Sequence, residues 1–404
     1  MKDTIKKLLK MPLLVQVLLA VVLGVALGNV LDDNWVRVFL TFNGLFGEFL
    51  SFLIPLIVVA MVIPAIAGVG KDAGKLLLLT VALAFVDTIL AGALAYGTGE
   101  ALFPSMVAAA GDVAVSDTAD LKPFFEIKVP AMLDVMSALV LSFILGLGIA
   151  FRSAGSLKAV ADEFGDIVSV TISKVIIPLL PWYIFGIFLD MTHSGEAYRI
   201  ITVFLQIIIV IIILHVVILL YEYLIAGAIA RRNPFRMLLT MLPAYFTAFG
   251  TASSAATIPV TLKQTLKNGV SDGVAGLTIP LCATIHLSGS MMKITSCALA
   301  ICMLNGMPHD VPLFIHFIFI LSICCIAAPG VPGGAGMAAL GPLASILGFD
   351  TDMQALLIAI NIATTSISTA CNVTGDGAIA VLMDHVFHKM HKEPAASVAV
   401  GEGD

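Results

Sequence analysis

Asn372-Val373-Thr374-Gly375-Asp376 is the stretch on which the reading of this chain turns. It sets an amide, a hydroxyl and a carboxylate inside a segment that otherwise reads as membrane span. Apolar Ala378-Ile379-Ala380-Val381-Leu382-Met383 continues that span beyond it. An ionisable residue at membrane depth costs at least ~2.5 kcal/mol on insertion scales, so it marks an ion or substrate path. Asp376 is therefore a candidate cation ligand on chemistry alone. The competing reading is a carboxylate at the wet end of a helix.

Composition sets the class. Of 404 residues, 59% are hydrophobic and 12% charged, against about 25% charged in a soluble domain. Long apolar runs, rather than short alternating segments, make this an all-α polytopic membrane protein and argue against a β-barrel. No basic patch points to nucleic acid. Cys282, Cys297, Cys302, Cys324, Cys325 and Cys371 all fall in apolar segments. Their spacing fits neither a zinc site nor a disulfide framework, so they read as small core residues. Lys2, Lys6, Lys7 and Lys10 precede an apolar run at 11–27, which reads as an uncleaved first span rather than a signal peptide.

The apolar pattern predicts spans near 11–31, 38–66, 75–103, 131–151, 164–192 and 199–230. Two broken apolar segments follow, at 233–262 and 310–345, and each precedes a further span, near 269–304 and 351–388. Most Lys and Arg outside the spans sort to one side, which the positive-inside rule makes cytoplasmic together with both termini. Arg231, Arg232, Arg236, Lys263 and Lys267 flank the first broken segment on that same side. The segment must therefore enter and leave from the cytoplasm, as a re-entrant hairpin with its tip at 250–257. The second enters from outside, with its tip at 329–336. Non-helical backbone at membrane depth is tolerated only inside protein or along a cavity. Two opposed hairpins, each followed by a span, form the inverted repeat of many secondary transporters. The alternative for the second hairpin is an extracellular loop. Asp112, Asp117, Asp120 and Glu126, in 104–130, read as extracellular loop without chemistry.

At this point the sequence resembles the dicarboxylate/amino acid:cation symporter family, the glutamate transporter family. Thr251-Ala252-Ser253-Ser254-Ala255-Ala256-Thr257 is similar to its serine-rich first hairpin tip. Gly330-Val331-Pro332-Gly333 is similar to its second tip, and Asn372 to Asp376 to its last-span motif. The resemblance implies eight spans plus two hairpins in a homotrimeric, elevator-type transporter of the cell (inner or plasma) membrane. It implies scaffold spans one and two at 1–74, a third span with extracellular loop at 75–130, and spans four to six, mainly scaffold, at 131–230. A transport core at 231–392 and a cytoplasmic tail at 393–404 complete the division.

The departures from the family bear most on function. The seventh span usually carries Asn-Met-Asp-Gly-Thr and here reads His286-Leu287-Ser288-Gly289-Ser290. Ser288 replaces a sodium-binding aspartate, and Lys293 adds a cation one turn on. Ungapped counting back from Asn372 puts Thr365 where the family holds an ammonium with aspartate. It puts Ser368 where the family clamps a side-chain carboxylate with arginine. Thr369, Asn372 and Asp376 keep the family types. A buried ammonium without a carboxylate partner is costly, so Thr365 argues against an α-amino acid held in the family's way. Ser368 removes the bidentate clamp.

What remains for a solute is Ser253, Ser254, Val331, Gly333, Thr365, Ser368, Thr369 and Asn372. Lys293 is either a displaced cation for a carboxylate or a lysine that snorkels or pairs internally. The resemblance implies one cation site of Asp376 and Asn372 with carbonyls near Cys282 and His286. It implies a second around Thr284, Cys325, Ile326 and Ala328. His286 is either a proton site, with an unperturbed pKa near ~6.5, or a neutral core residue. Asp87 and Glu222 are further intramembrane acids, and Asp87 is a candidate partner for Lys293.

The expected function is cation-coupled symport of a small organic solute, a carboxylate without the usual acidic amino-acid recognition, across a lipid bilayer. The coupling ion is transported Na⁺ or H⁺, with no further cofactor. A neutral amino acid symporter and an uncoupled channel-like or exchanging protein are the alternatives. No nucleophile–base pair suggests an enzyme. Because Thr365 and Ser368 replace the charged pair, L-aspartate and L-glutamate should fail to stabilise the purified protein in a thermal-shift assay. Micromolar binding of either would overturn this reading of the last span.

Overall fold

The computed structural model describes residues 11, 13–68, 75–109, 121–152, 155–195, 197–326 and 334–392. Among these there are helices and no strands. The helices are α1 (Leu13–Gly28), α2 (Asp33–Gly68), α3 (Lys75–Ala109), α4 (Val135–Arg152), α5 (Gly155–Thr171), α6 (Ile177–His193), α7 (Ala197–Ala230) and α8 (Pro234–Thr251). They continue with α9 (Ser254–Lys267), α10 (Asp272–Ile285), α11 (Ser288–Leu304), α12 (Val311–Ile326), α13 (Gly334–Ser345), α14 (Thr351–Ala363) and α15 (Thr365–Lys392). Five stretches are long and apolar enough to cross a membrane, or six when the bent pair α14–α15 counts as one span. Three shorter apolar helices, Val15–Gly28, Val140–Arg152 and Val311–Ile326, accompany them.

Helix covers most of each expected span, but the fourth begins only at Val135, and α3 runs on to Ala109, so residues 104–109 are helix rather than the expected loop. The fifth is longer than its apolar pattern suggested. Continuous helix runs from Gly155 to His193 through a π-helical turn at Ile172–Ile176. Its first turns carry Lys158, Asp162 and Glu163, which obscured the start in sequence.

Glycines let these helices approach. At Gly24, an added Cβ would lie 2.9 Å from Phe185 O and from Phe188 Cβ, so α1 lies directly against α6. At Gly92 it would lie 2.8 Å from Ile318 Cγ2 and 3.0 Å from Met291 Cγ, where α3 meets α12 and α11.

The last 170 residues are organised by breaks. α8 and α9 pack against each other and against α15. Their turn is made by Ala252 in the left-handed region (φ 50°) and Ser253 in an extended one. Ser253 Oγ then accepts a hydrogen bond from Ala256 N–H, capping α9. The tip lies inside the expected 250–257 segment. The second tip, residues 327–333 between α12 and α13, lies outside the described residues.

The seventh span is interrupted at His286 and Leu287, between α10 and α11. The last span is interrupted at Thr364, where α14 and α15 meet at 64°. The two interrupted spans touch at Gly289. A Cβ there would lie 2.7 Å from Cys371 Cβ and 2.8 Å from Ser368 O. Backbone cannot yield as a flexible side chain can, so only glycine fits. Gly289→Ala should cost about 1–3 kcal/mol of stability, read as a lower thermal midpoint of the purified protein. An unchanged midpoint would show that the two spans do not cross this closely.

Candidate functional site

The site grows from the two breaks. Breaking a helix strands backbone N–H groups at one new end and C=O groups at the other. In the seventh span the stranded donors are Gly289 N–H and Ser290 N–H at the start of α11. Asn372 Oδ1 accepts both, at 2.8 and 3.2 Å. Asn372 Nδ2 donates to Ser290 Oγ at 3.0 Å. Both polar atoms of this amide help hold the start of α11 to α15, and one Nδ2 hydrogen is left over. On the far side, His215 Nε2 lies 2.9 Å from Gly289 O.

In the last span the stranded acceptor is Asn361 O, near the end of α14. Thr365 Oγ1 donates to it at 2.6 Å and Lys293 Nζ at 3.1 Å. Lys293 Nζ also donates to Ser368 Oγ at 2.9 Å, and that hydroxyl donates to Thr365 O at 3.1 Å. An ammonium at a helix C-terminal end is favourable. Lys293 is nevertheless only 2% exposed. Among the described residues it makes no ion pair. Its titratable neighbours are the thiols Cys297 and Cys325 and the imidazole of His215. Asn361 Oδ1, buried beside it, has no hydrogen-bond partner among the described residues. Lys293, carried by α11, thus sets its Nζ directly on Ser368 of α15.

A second cluster surrounds His286. Its Nδ1 lies 3.0 Å from Asp376 Oδ1, and its Nε2 lies 2.9 Å from Asp87 Oδ2 and 3.9 Å from Glu222 Oε1. Ser288 Oγ donates to Glu222 Oε1 at 3.1 Å. These groups come from α3, α7, the break of the seventh span and α15, and all are buried. Asp376 Oδ2 and Glu222 Oε2 have no hydrogen-bond partner among the described residues. The packing needs Gly375, where an added Cβ would lie 2.5 Å from Glu222 Oε2 and 2.8 Å from His286 Cε1. Tyr223 Oη, beside Glu222, donates to Thr374 O at 2.7 Å.

The structure thus brings Lys293, Thr365, Ser368 and Asn372 together, and separately His286 and Asp376. Thr369 is buried on the same helix. Asp87 faces His286 rather than Lys293. Ser253 and Ser254 stay at the hairpin tip, half-buried. Cys282 is buried, and its carbonyl accepts from His286 N–H at 2.9 Å. Thr284 is exposed, with its hydroxyl donating to Leu281 O within its own turn. Cys325 is buried and Ile326 half-buried at the end of α12. Ala328, Val331 and Gly333 lie outside the described residues. Sequence reasoning missed His215 and Asn361. His215 stood out as an ionisable residue within an apolar run, whereas Asn361 gave no local signal.

Two broken helices crossing in an all-helical membrane protein, with polar groups gathered at the crossing, is the arrangement of a secondary transporter. The model of the sodium:dicarboxylate symporter family matches residues 13–386, nearly the whole chain. The chain therefore belongs to the sodium:dicarboxylate symporter family and is a multi-pass membrane transporter of the symporter type.

Proposed function

We propose that this protein is a cation-coupled symporter of a small organic dianion that carries no ammonium group, such as a short dicarboxylic acid. The observation that carries this reading is Lys293, a lysine buried beside Ser368 with no acidic partner among the described residues. Burying a charge without a counter-charge costs several kcal/mol. A solute carboxylate accepting from Lys293 Nζ supplies the missing charge. Asn372 Oδ1 is already committed to the start of α11, which leaves the second Nδ2 hydrogen as its donor toward the solute. A second carboxylate meets the N-terminal end of a hairpin half-helix, where the helix dipole favours an anion. Thr365, where the family has a carboxylate, offers an ammonium no counter-charge.

Family membership supports a homotrimer in which the core at 231–392 moves against the early spans. The distribution of Lys and Arg supports cytoplasmic termini.

Lys293→Gln separates recognition from architecture. The glutamine amide can still donate to Asn361 O, so the end of α14 keeps a partner, but the charge is gone. Removing one member of a buried charge pair costs about 2–5 kcal/mol, so affinity for succinate or malate should fall at least ~30-fold. Thermal-shift titration of the purified protein reads this. Equal affinity in both proteins would confine Lys293 to capping α14 and sink the dianion reading.

A further inference from the structure

Three carboxylates and one imidazole converge in the core, and their charges do not balance. Asp87, Glu222 and Asp376 are 8%, 4% and 1% exposed, and His286 is fully buried. Among the described residues, neither Lys nor Arg pairs with any of these three acids. Three buried carboxylates therefore have at most one positive side chain, the imidazole, to offset them. Buried charges are paired or coordinate metals.

The hydrogen-bond directions sharpen the point. When His286 Nδ1–H donates to Asp376 Oδ1, Nε2 presents a lone pair. That lone pair faces Asp87 Oδ2 at 2.9 Å and Glu222 Oε1 at 3.9 Å. Ligand atoms from Asp87, Glu222 and His286 all lie within 4.8 Å of one another. With that tautomer, electron-rich atoms from three spans face one another and call for a cation between them, whereas a second ring proton would let Nε2–H donate to Asp87 directly. Two further buried oxygens, Glu222 Oε2 and Asp376 Oδ2, are without hydrogen-bond partners among the described residues.

We propose that Asp87, Glu222 and His286 Nε2 bind a single divalent transition-metal cation, with Asp376 as the positioning residue behind the histidine. A metal-bound histidine usually donates its other ring N–H to a carboxylate, which fixes its tautomer. The Asp376–His286 contact has that form. One nitrogen with two carboxylate oxygens suits zinc, manganese or iron(II) better than magnesium or calcium, which prefer all-oxygen sites. Metal–ligand bonds of about 2.0–2.2 Å put neighbouring ligand atoms roughly 3 Å apart; Asp87 and His286 already have that spacing at 2.9 Å, and Glu222, at 3.9 Å from Nε2, has to close in. A divalent charge also offsets two of the three carboxylates, which a single monovalent ion does not. Because the ligands and their support come from four spans, an occupied site ties those spans together.

The test uses full-length protein stripped with a chelator and no solute, so it is independent of the dianion reading. Manganese(II) is the probe, since it favours oxygen and imidazole over the six buried thiols. The expected result is saturable 1:1 binding by calorimetry, with a ring-nitrogen coupling in the pulsed electron paramagnetic resonance of the bound ion. His286→Gln should remove that coupling. Asp87→Asn and Glu222→Gln should each weaken binding at least tenfold, and Asp376→Asn about 10–100-fold. Lys293→Gln should bind manganese normally. Absence of saturable binding to the folded native protein would overturn the proposal and leave protons as the balancing charge. A bound ion without nitrogen coupling, or one indifferent to Asp87→Asn and Glu222→Gln, would overturn it equally.

Discussion

Two membrane spans are broken where they cross, and the backbone ends exposed there have to be satisfied by protein. In hydrocarbon an unpaired N–H or C=O costs several kcal/mol, so a broken span persists only if its neighbours repair it. Asn372 repairs the start of α11, and Thr365 with Lys293 repairs the end of α14. Each repair needs the other helix close by. That closeness rests on Gly289, which has no room for a side chain. The polar residues of the last span are therefore first a scaffold for the crossing. Their chemistry toward a solute follows from what the repairs leave unspent.

What they leave unspent is charge. Among the described residues Lys293 has no acidic partner, while three acids gather around one imidazole. In water these would be unremarkable surface groups worth little individually. Buried, each imbalance is a demand for a counter-ion. An anion meets the first demand and a cation meets the second. The two requirements lie on the same pair of broken spans, and a carrier that couples one species to the other needs that arrangement. In the proposed reading, the departures from the family pattern, Lys293, His286 and Ser288, set the polarity of the site.

Much of the fold was legible in the sequence because spans are written as long apolar runs and breaks as small or polar residues within them. The breaks at 252–253, 286–287 and 364 fall where serine, histidine and threonine interrupt those runs. Inter-span partnerships were less legible. Asp87 was visible as an intramembrane acid, yet Lys293 seemed as good a partner as any. Nothing local encodes that α3 meets the seventh span at His286. Glu222 was likewise visible without a partner. Gly375 reads in sequence as one member of a family motif. Its physical reason, two side chains from other spans against its Cα, exists only in three dimensions. The fifth span's start was lost because its first turns are charged, and Asn361 because asparagine in an apolar helix signals no particular partner.

The central claim is that the unpaired ammonium of Lys293 receives a carboxylate of the solute. The most direct measurement is a cryo-electron microscopy structure of the protein in lipid nanodiscs with a saturating short dicarboxylate. The account predicts one carboxylate within hydrogen-bond distance of Lys293 Nζ, over Ser368. Solute density elsewhere, with Lys293 still donating only to Asn361 O and Ser368 Oγ, would contradict it.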